Sequence, residues 1–242
     1  MTGESSAVLG APATVRHSAI ASARHTVTLL LALIAWAFWD IIRADRMRNI
    51  EHPNRIAMYL LTIIWQWCAV AYIVFGVRRH GGSLRDIVGG RWNSIRDFLR
   101  DWGIAVAFWF VALTAMVLVA FALQAQHLNQ STRFLRPQGI TEAGLWILVS
   151  LTAGICEEIM FRGYLQRQFI AWTGNVPAGI ILSAAVFGTM HLYQSRKSPI
   201  ILGVFGLLFG ILAWKRGSLR PGMMTHAWHD GFVGLIGSLI RN

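Results

Sequence analysis

Two adjacent carboxylates, Glu157 and Glu158, stand inside the apolar run Leu145–Phe169. An ionised side chain at the centre of a bilayer costs about 2.5–3.5 kcal/mol on insertion scales, so a pair of them needs compensation. Arg162 supplies part of it. It lies four residues beyond Glu158, one helical turn away, where it can close an ion pair. Glu157 projects about 100° round the helix from Glu158 and is left for other work. The later apolar runs add His191, His226, His229 and Asp230, whereas the earlier runs hold almost nothing ionisable. Asp40 is the exception, and it falls near a helix end where it can reach water. His226 and Asp230 are four apart and share a helix face, with His229 close to it.

Three chemistries suit a glutamate, histidines and an aspartate gathered in a membrane. One is hydrolysis, with Glu157 as general base towards water and His191 helping to place it. His226 and Asp230 would then hold the developing oxyanion. Another is a metal site, since histidine and carboxylate are zinc ligands. A third is proton or cation transport through a relay of such groups. Some established hydrolase patterns are missing. The chain has no H-E-x-x-H helix, no G-x-S-x-G elbow, and no pair of aspartates deep in separate spans as a dyad requires, since Asp40 lies near a span end. A nucleophilic Cys156 is disfavoured, because two carboxylates beside it oppose a thiolate.

These residues need helices to carry them. The 242 residues are 55% hydrophobic and 14% charged, with eleven Trp, a membrane composition. Seven spans follow one another: about 27–42, 56–77, 102–123, 145–169, 176–193, 200–214 and 219–240. The expected fold is therefore all-α, a polytopic bundle of about seven transmembrane helices in a multi-pass cell-membrane protein. Residues 1–25, rich in Ser, Ala and Thr, read as a flexible tail without a cleavable signal. Between the second and third spans, residues 81–100 repeat apolar positions at helical spacing among arginines. They read as one or two short interfacial helices, broken at Gly89-Gly90, or as a plain surface loop. Gly206 and Gly210 make a close-packing face. The net charge of +11 sits in loops between apolar runs, where it meets lipid headgroups; with no soluble basic domain, nucleic acid is not an expected partner. Placing the N-terminus inside puts 12 Lys and Arg on the inner side against 9 on the outer, a mild preference for that orientation.

Three motifs in order, Glu157-Glu158-x-x-x-Arg162, Phe187-x-x-x-His191 and His226-x-x-x-Asp230, resemble those of the CPBP family. These are the CAAX-protease and bacteriocin-processing (Abi) intramembrane proteases, or type II CAAX prenyl endopeptidase-like proteins. The resemblance covers about 142–240, including Phe161-Arg162-Gly163-Tyr164-Leu165 and Gly217-Ser218-Leu219-Arg220-Pro221. It implies a catalytic core over 141–242, preceded by a variable set of helices over 26–140. It also implies an endopeptidase acting on a membrane-associated, in some cases lipidated, protein or peptide. Glu157 matches the residue that activates water, His191 its partner, and His226 with Asp230 the oxyanion pair. Glu158, Arg162 and Phe187 match supporting positions. Many members carry Asn where this chain has Asp230. The family is commonly labelled metalloprotease, which would make His191, His226 and Asp230 candidate ligands of a zinc ion; a glutamate-dependent mechanism without fixed zinc is equally implied. The competing reading is a non-catalytic immunity or scaffold protein, or a proton-coupled carrier, although the paired halves of a carrier are not evident.

Overall fold

A computed structural model describes residues 18–125 and 131–239, with side chains as far as Ile236. The described residues form helices joined by turns, without strands. In chain order the helices are α1 (Ala23–Arg48), α2 (Arg55–Arg79), α3 (Leu84–Val88), α4 (Ile95–Ala122), α5 (Gly139–Glu157), α6 (Gln166–Thr173), α7 (Val176–Met190), α8 (Ser198–Arg216) and α9 (Arg220–Leu239). A π-helical stretch, Glu158–Leu165, joins α5 to α6, so that Gly139–Thr173 runs as one 35-residue rod. A helix stands at each of the seven expected spans. Five are long and apolar enough to cross a membrane: α1, α2, α4, the α5–α6 rod and α8. Helix α7 is apolar but only 15 residues long.

Contacts at the two ends fix the bundle. At one face, the α3 face, Leu219 N donates to Val88 O at 2.9 Å, and buried Asp101 pairs with Arg216 and Arg220 at 3.4 and 3.3 Å. At the far face, Arg55 Nε donates to Phe134 O and Tyr59 to Leu135 O, at 3.0 and 2.6 Å. Arg48 there bonds the carbonyls of Tyr193 and Gln194. Midway, Trp36 of α1 stacks on Trp65 of α2 with ring centres 4.6 Å apart.

Two expectations need correction. The tail does not stay free as far as residue 25. Ser22 caps α1, Ala21 is buried, and the Gln168 amide oxygen accepts from Ile20 N and Ala21 N at 2.7 and 3.3 Å. Residues 1–17 lie outside the described chain. The second half of the amphipathic segment 81–100 is also not a separate interfacial helix. Only α3 is a separate helix, while Ile95 already begins α4, the third span. The break at Gly89-Gly90 is real: both residues have positive φ, 85° and 86°. A Cβ on Gly89 would collide with the Gly217 carbonyl and Ser218 Cα, so α3 docks on the α8–α9 turn through a glycine. Ser83 and Asp86 cap α3 reciprocally, and the Ser83 hydroxyl and amide hold the Asp86 carboxyl below the usual carboxylate range.

Candidate active site

Glu157 ends α5 and Glu158 opens the π-helical stretch. The wider π turn buries all eight of its residues, including Glu158 and Arg162. Such turns are rare and concentrate at functional sites. Helix α9 reaches this level because α5 carries Gly154 there. A Cβ on Gly154 would run into Ala227 N and Met223 O, so the two backbones approach where only hydrogen fits.

Glu158 is nearly inaccessible, at 1%. Its Oε1 accepts from Arg162 Nη1 at 2.9 Å and from His226 Nδ1 at 3.0 Å. Arg162 also donates to Gly206 O at 3.3 Å, and its guanidinium lies over the rings of Phe187 and Phe209, 4.3 and 5.3 Å from their centres. The expected Glu158–Arg162 pair therefore forms, but Glu158 is more than Arg162's counter-ion: it also orients His226. Phe205 and Phe209 pack edge-on against the His226 ring, at 5.3 and 5.7 Å. With Nδ1 directed at Glu158, the ring turns Nε2 towards Glu157 Oε2 at 3.8 Å and Asp230 Oδ2 at 3.7 Å.

Glu157 has two unlike oxygens. Oε1 accepts from Gln66 Nε2 of α2 at 2.8 Å, and Oε2 has no hydrogen-bond partner among the described residues. His191 caps α7 and bonds Phe187 O through Nδ1 at 2.8 Å. A proton on Nδ1 leaves Nε2 as the acceptor of a neutral ring. Phe187 thus supports the site twice, with its ring under Arg162 and its carbonyl on His191. Asp230 is itself placed through its backbone oxygen, which accepts from Trp146 Nε1 at 2.9 Å.

Glu157, His191, His226 and Asp230 all line one cavity of about 890 Å³. Trp36, Trp65, Trp146 and Phe205 contribute to its walls, and it continues to Arg43, Arg136 and Gln194 at the far face. The four residues expected to act together are therefore brought to one space from three segments. Sequence reasoning missed Gln66, although an amide inside the second apolar run was a readable signal. It also missed Trp146, and it left His229 without a role; buried His229 lines the same cavity. Cys156 is buried and does not line it.

The described residues do not assemble a three-ligand metal site: no three His, Cys, Asp or Glu side chains come together as ligands. His226 and His191 each engage Nδ1, with Glu158 and a backbone carbonyl, and keep Nε2 open. The metalloprotease expectation, with His191, His226 and Asp230 as ligands, is not supported.

Residues 139–232 match the family model described as type II CAAX prenyl endopeptidase Rce1-like. No curated protein and no solved structure matches the chain.

Proposed function

We propose that this chain, whose residues 139–232 match the CAAX endopeptidase family model, is an intramembrane endopeptidase in which Glu157 activates water for peptide hydrolysis. The family match supports a membrane-embedded protease acting on a protein substrate, and the assignment of roles rests on the geometry. The observation that carries it is the division of the Glu157 carboxylate, with Gln66 holding Oε1 and Oε2 left unpartnered among the described residues, beside His226 in the cavity.

A fixed carboxylate with one free oxygen is suited to remove a proton from water. The water oxygen then attacks the scissile carbonyl carbon, and the carbonyl π electrons move to its oxygen. His226, protonated on both nitrogens, can give its Nε2–H to that oxyanion while Nδ1–H stays on Glu158. Asp230, 3.7 Å from Nε2, steadies the same edge of the ring. An aspartate does not donate as an asparagine does; in this reading the donor is His226, and Asp230 acts on it through charge from 3.7 Å. His191 Nε2, as an acceptor, orients the attacking water. Collapse of the intermediate expels the amine, which takes the proton from Glu157. The aromatic walls suit a lipidated or otherwise membrane-tethered peptide.

The test is Glu157→Gln, which keeps shape and removes the base. Turnover of a membrane-tethered peptide by the purified variant is expected to fall about 10²–10⁴-fold, the usual contribution of a general base. Equal turnover by variant and parent would rule the assignment out.

A further inference from the structure

We infer that Gln66 binds the substrate directly: its amide oxygen accepts the N–H of the scissile peptide bond, so the site takes secondary amides and turns away proline on the leaving side. The inference rests on the proteolytic reading above.

The first observation is the direction of the Gln66 amide. Gln66 stands on α2, is only 5% exposed, and lines the catalytic cavity. Its Nε2 donates to Glu157 Oε1 at 2.8 Å. A carboxylate acting as a base only accepts hydrogen bonds, so the amide must turn its nitrogen to Glu157. That sends the amide oxygen away from the carboxylate, and among the described residues it has no donor. Fixing Glu157 needs a donor alone. Glutamine brings an acceptor as well, and a buried acceptor left empty is costly.

The second observation is the place of Gln66 relative to His226. Gln66 holds Oε1 of Glu157, while His226 Nε2 stands 3.8 Å from Oε2. The two side chains thus reach the carboxylate through different oxygens, one from α2 and one from α9. In a trans peptide the carbonyl oxygen and the amide hydrogen point to opposite sides of the chain. A scissile bond laid across Glu157 with its oxygen at His226 therefore turns its N–H towards α2. Tyr59 and Thr62 of α2 also line the cavity, but they spend their hydroxyl hydrogens on Leu135 O and Met58 O. They also lie about two turns and one turn from the level of Glu157. Gln66 Oε1 is the α2 acceptor at that level.

This contact sets the leaving nitrogen beside the carboxylate that later protonates it. It also selects the substrate. A proline or N-methyl nitrogen has no hydrogen to give and would press carbon against the amide oxygen. Sites that hold an N–H reject analogues lacking it. The contact is made before attack and persists through it, so its loss is read in KM, whereas loss of the Glu157 anchor is read in kcat.

The experiment uses one membrane-tethered peptide in three forms: unmodified, N-methylated at the scissile bond, and N-methylated at the next bond on the leaving side. kcat and KM are measured for the parent and for Gln66→Met, which keeps the approximate shape and removes both polar groups. The parent is expected to prefer the unmodified form over the scissile N-methyl form by about 10–100-fold in kcat/KM, and to treat the next-bond form within about threefold of the unmodified one. Gln66→Met is expected to bring the scissile preference within about threefold as well. A preference that persists undiminished in Gln66→Met overturns the inference, because losing an anchor for Glu157 lowers both forms alike. Equal cleavage of the two forms by the parent overturns it too. Should Gln66→Met cleave neither form, competition of the two peptides against a fluorescent tethered peptide reads the same ratio as binding. Cleavage of no form by the parent counts against the proteolytic reading, and the competition assay then still decides the N–H contact.

Discussion

A general base inside a membrane has two conflicting needs: a fixed position and an oxygen left free. Glu157 meets them by giving its oxygens different neighbours, and Gln66 is the neighbour that fixes it. A hydrogen bond to a charged group contributes about 1.5–3 kcal/mol. Gln66→Leu should therefore lower kcat about 10–100-fold on a tethered peptide, with the melting temperature in detergent nearly unchanged. Unaltered turnover would show that Glu157 needs no such anchor. Glu157, Glu158, His191, His226 and Asp230 could all be picked out in the sequence, because charge inside an apolar run is conspicuous. Gln66 is 91 residues from its partner, and an uncharged amide hardly interrupts hydropathy, so only the fold joins them. The double engagement of Glu158 was hidden for a different reason. Helical spacing reveals Arg162 four residues on, but no local pattern announces His226, 68 residues away on another helix.

Among the elements, spans were legible because a bilayer demands long apolar stretches. The π-helical stretch was not, since its i→i+5 bonding leaves no hydropathy period that separates it from α-helix. Gly89-Gly90 reads in the sequence as a break in interfacial helix, and the structure makes it a docking point as well. This can be separated from simple backbone strain. Gly89 and Gly90 both have positive φ, but a Cβ on Gly90 would meet nothing, whereas one on Gly89 would strike the backbone of Gly217 and Ser218. Gly90→Ala should cost only the left-handed penalty of about 1–2 kcal/mol. Gly89→Ala should cost that and the α3 contact, giving the larger fall in melting temperature. Equal falls would mean that α3 does not depend on this close approach.

At the scale of the whole molecule, the catalytic segment is not self-sufficient. Its buried polar groups are completed by the helices before it. Gln66 of α2 serves Glu157, Ala105 O of α4 accepts from Thr225, and Thr26 of α1 bonds the Tyr164 hydroxyl. An expected boundary near residue 140 is thus crossed by hydrogen bonds, which motif reading has no means to register. Gln168 of α6 is the clearest case. Its amide oxygen takes Ile20 N and Ala21 N, and its nitrogen donates to Ala21 O and Thr26 Oγ1. Gln168→Leu keeps the approximate volume and removes all four bonds, leaving buried Ala21 without its partner. One orphaned buried group costs about 1–3 kcal/mol. The variant should melt at a lower temperature and become open to proteolysis ahead of Ala23. Its turnover at low temperature should fall less than that of Gln66→Leu, because Gln168 does not border the catalytic cavity. Resistance equal to the parent would mean that the segment before α1 is held by other contacts; a loss of turnover matching Gln66→Leu would mean that its docking is transmitted along α6 and the π-helical stretch to Glu157.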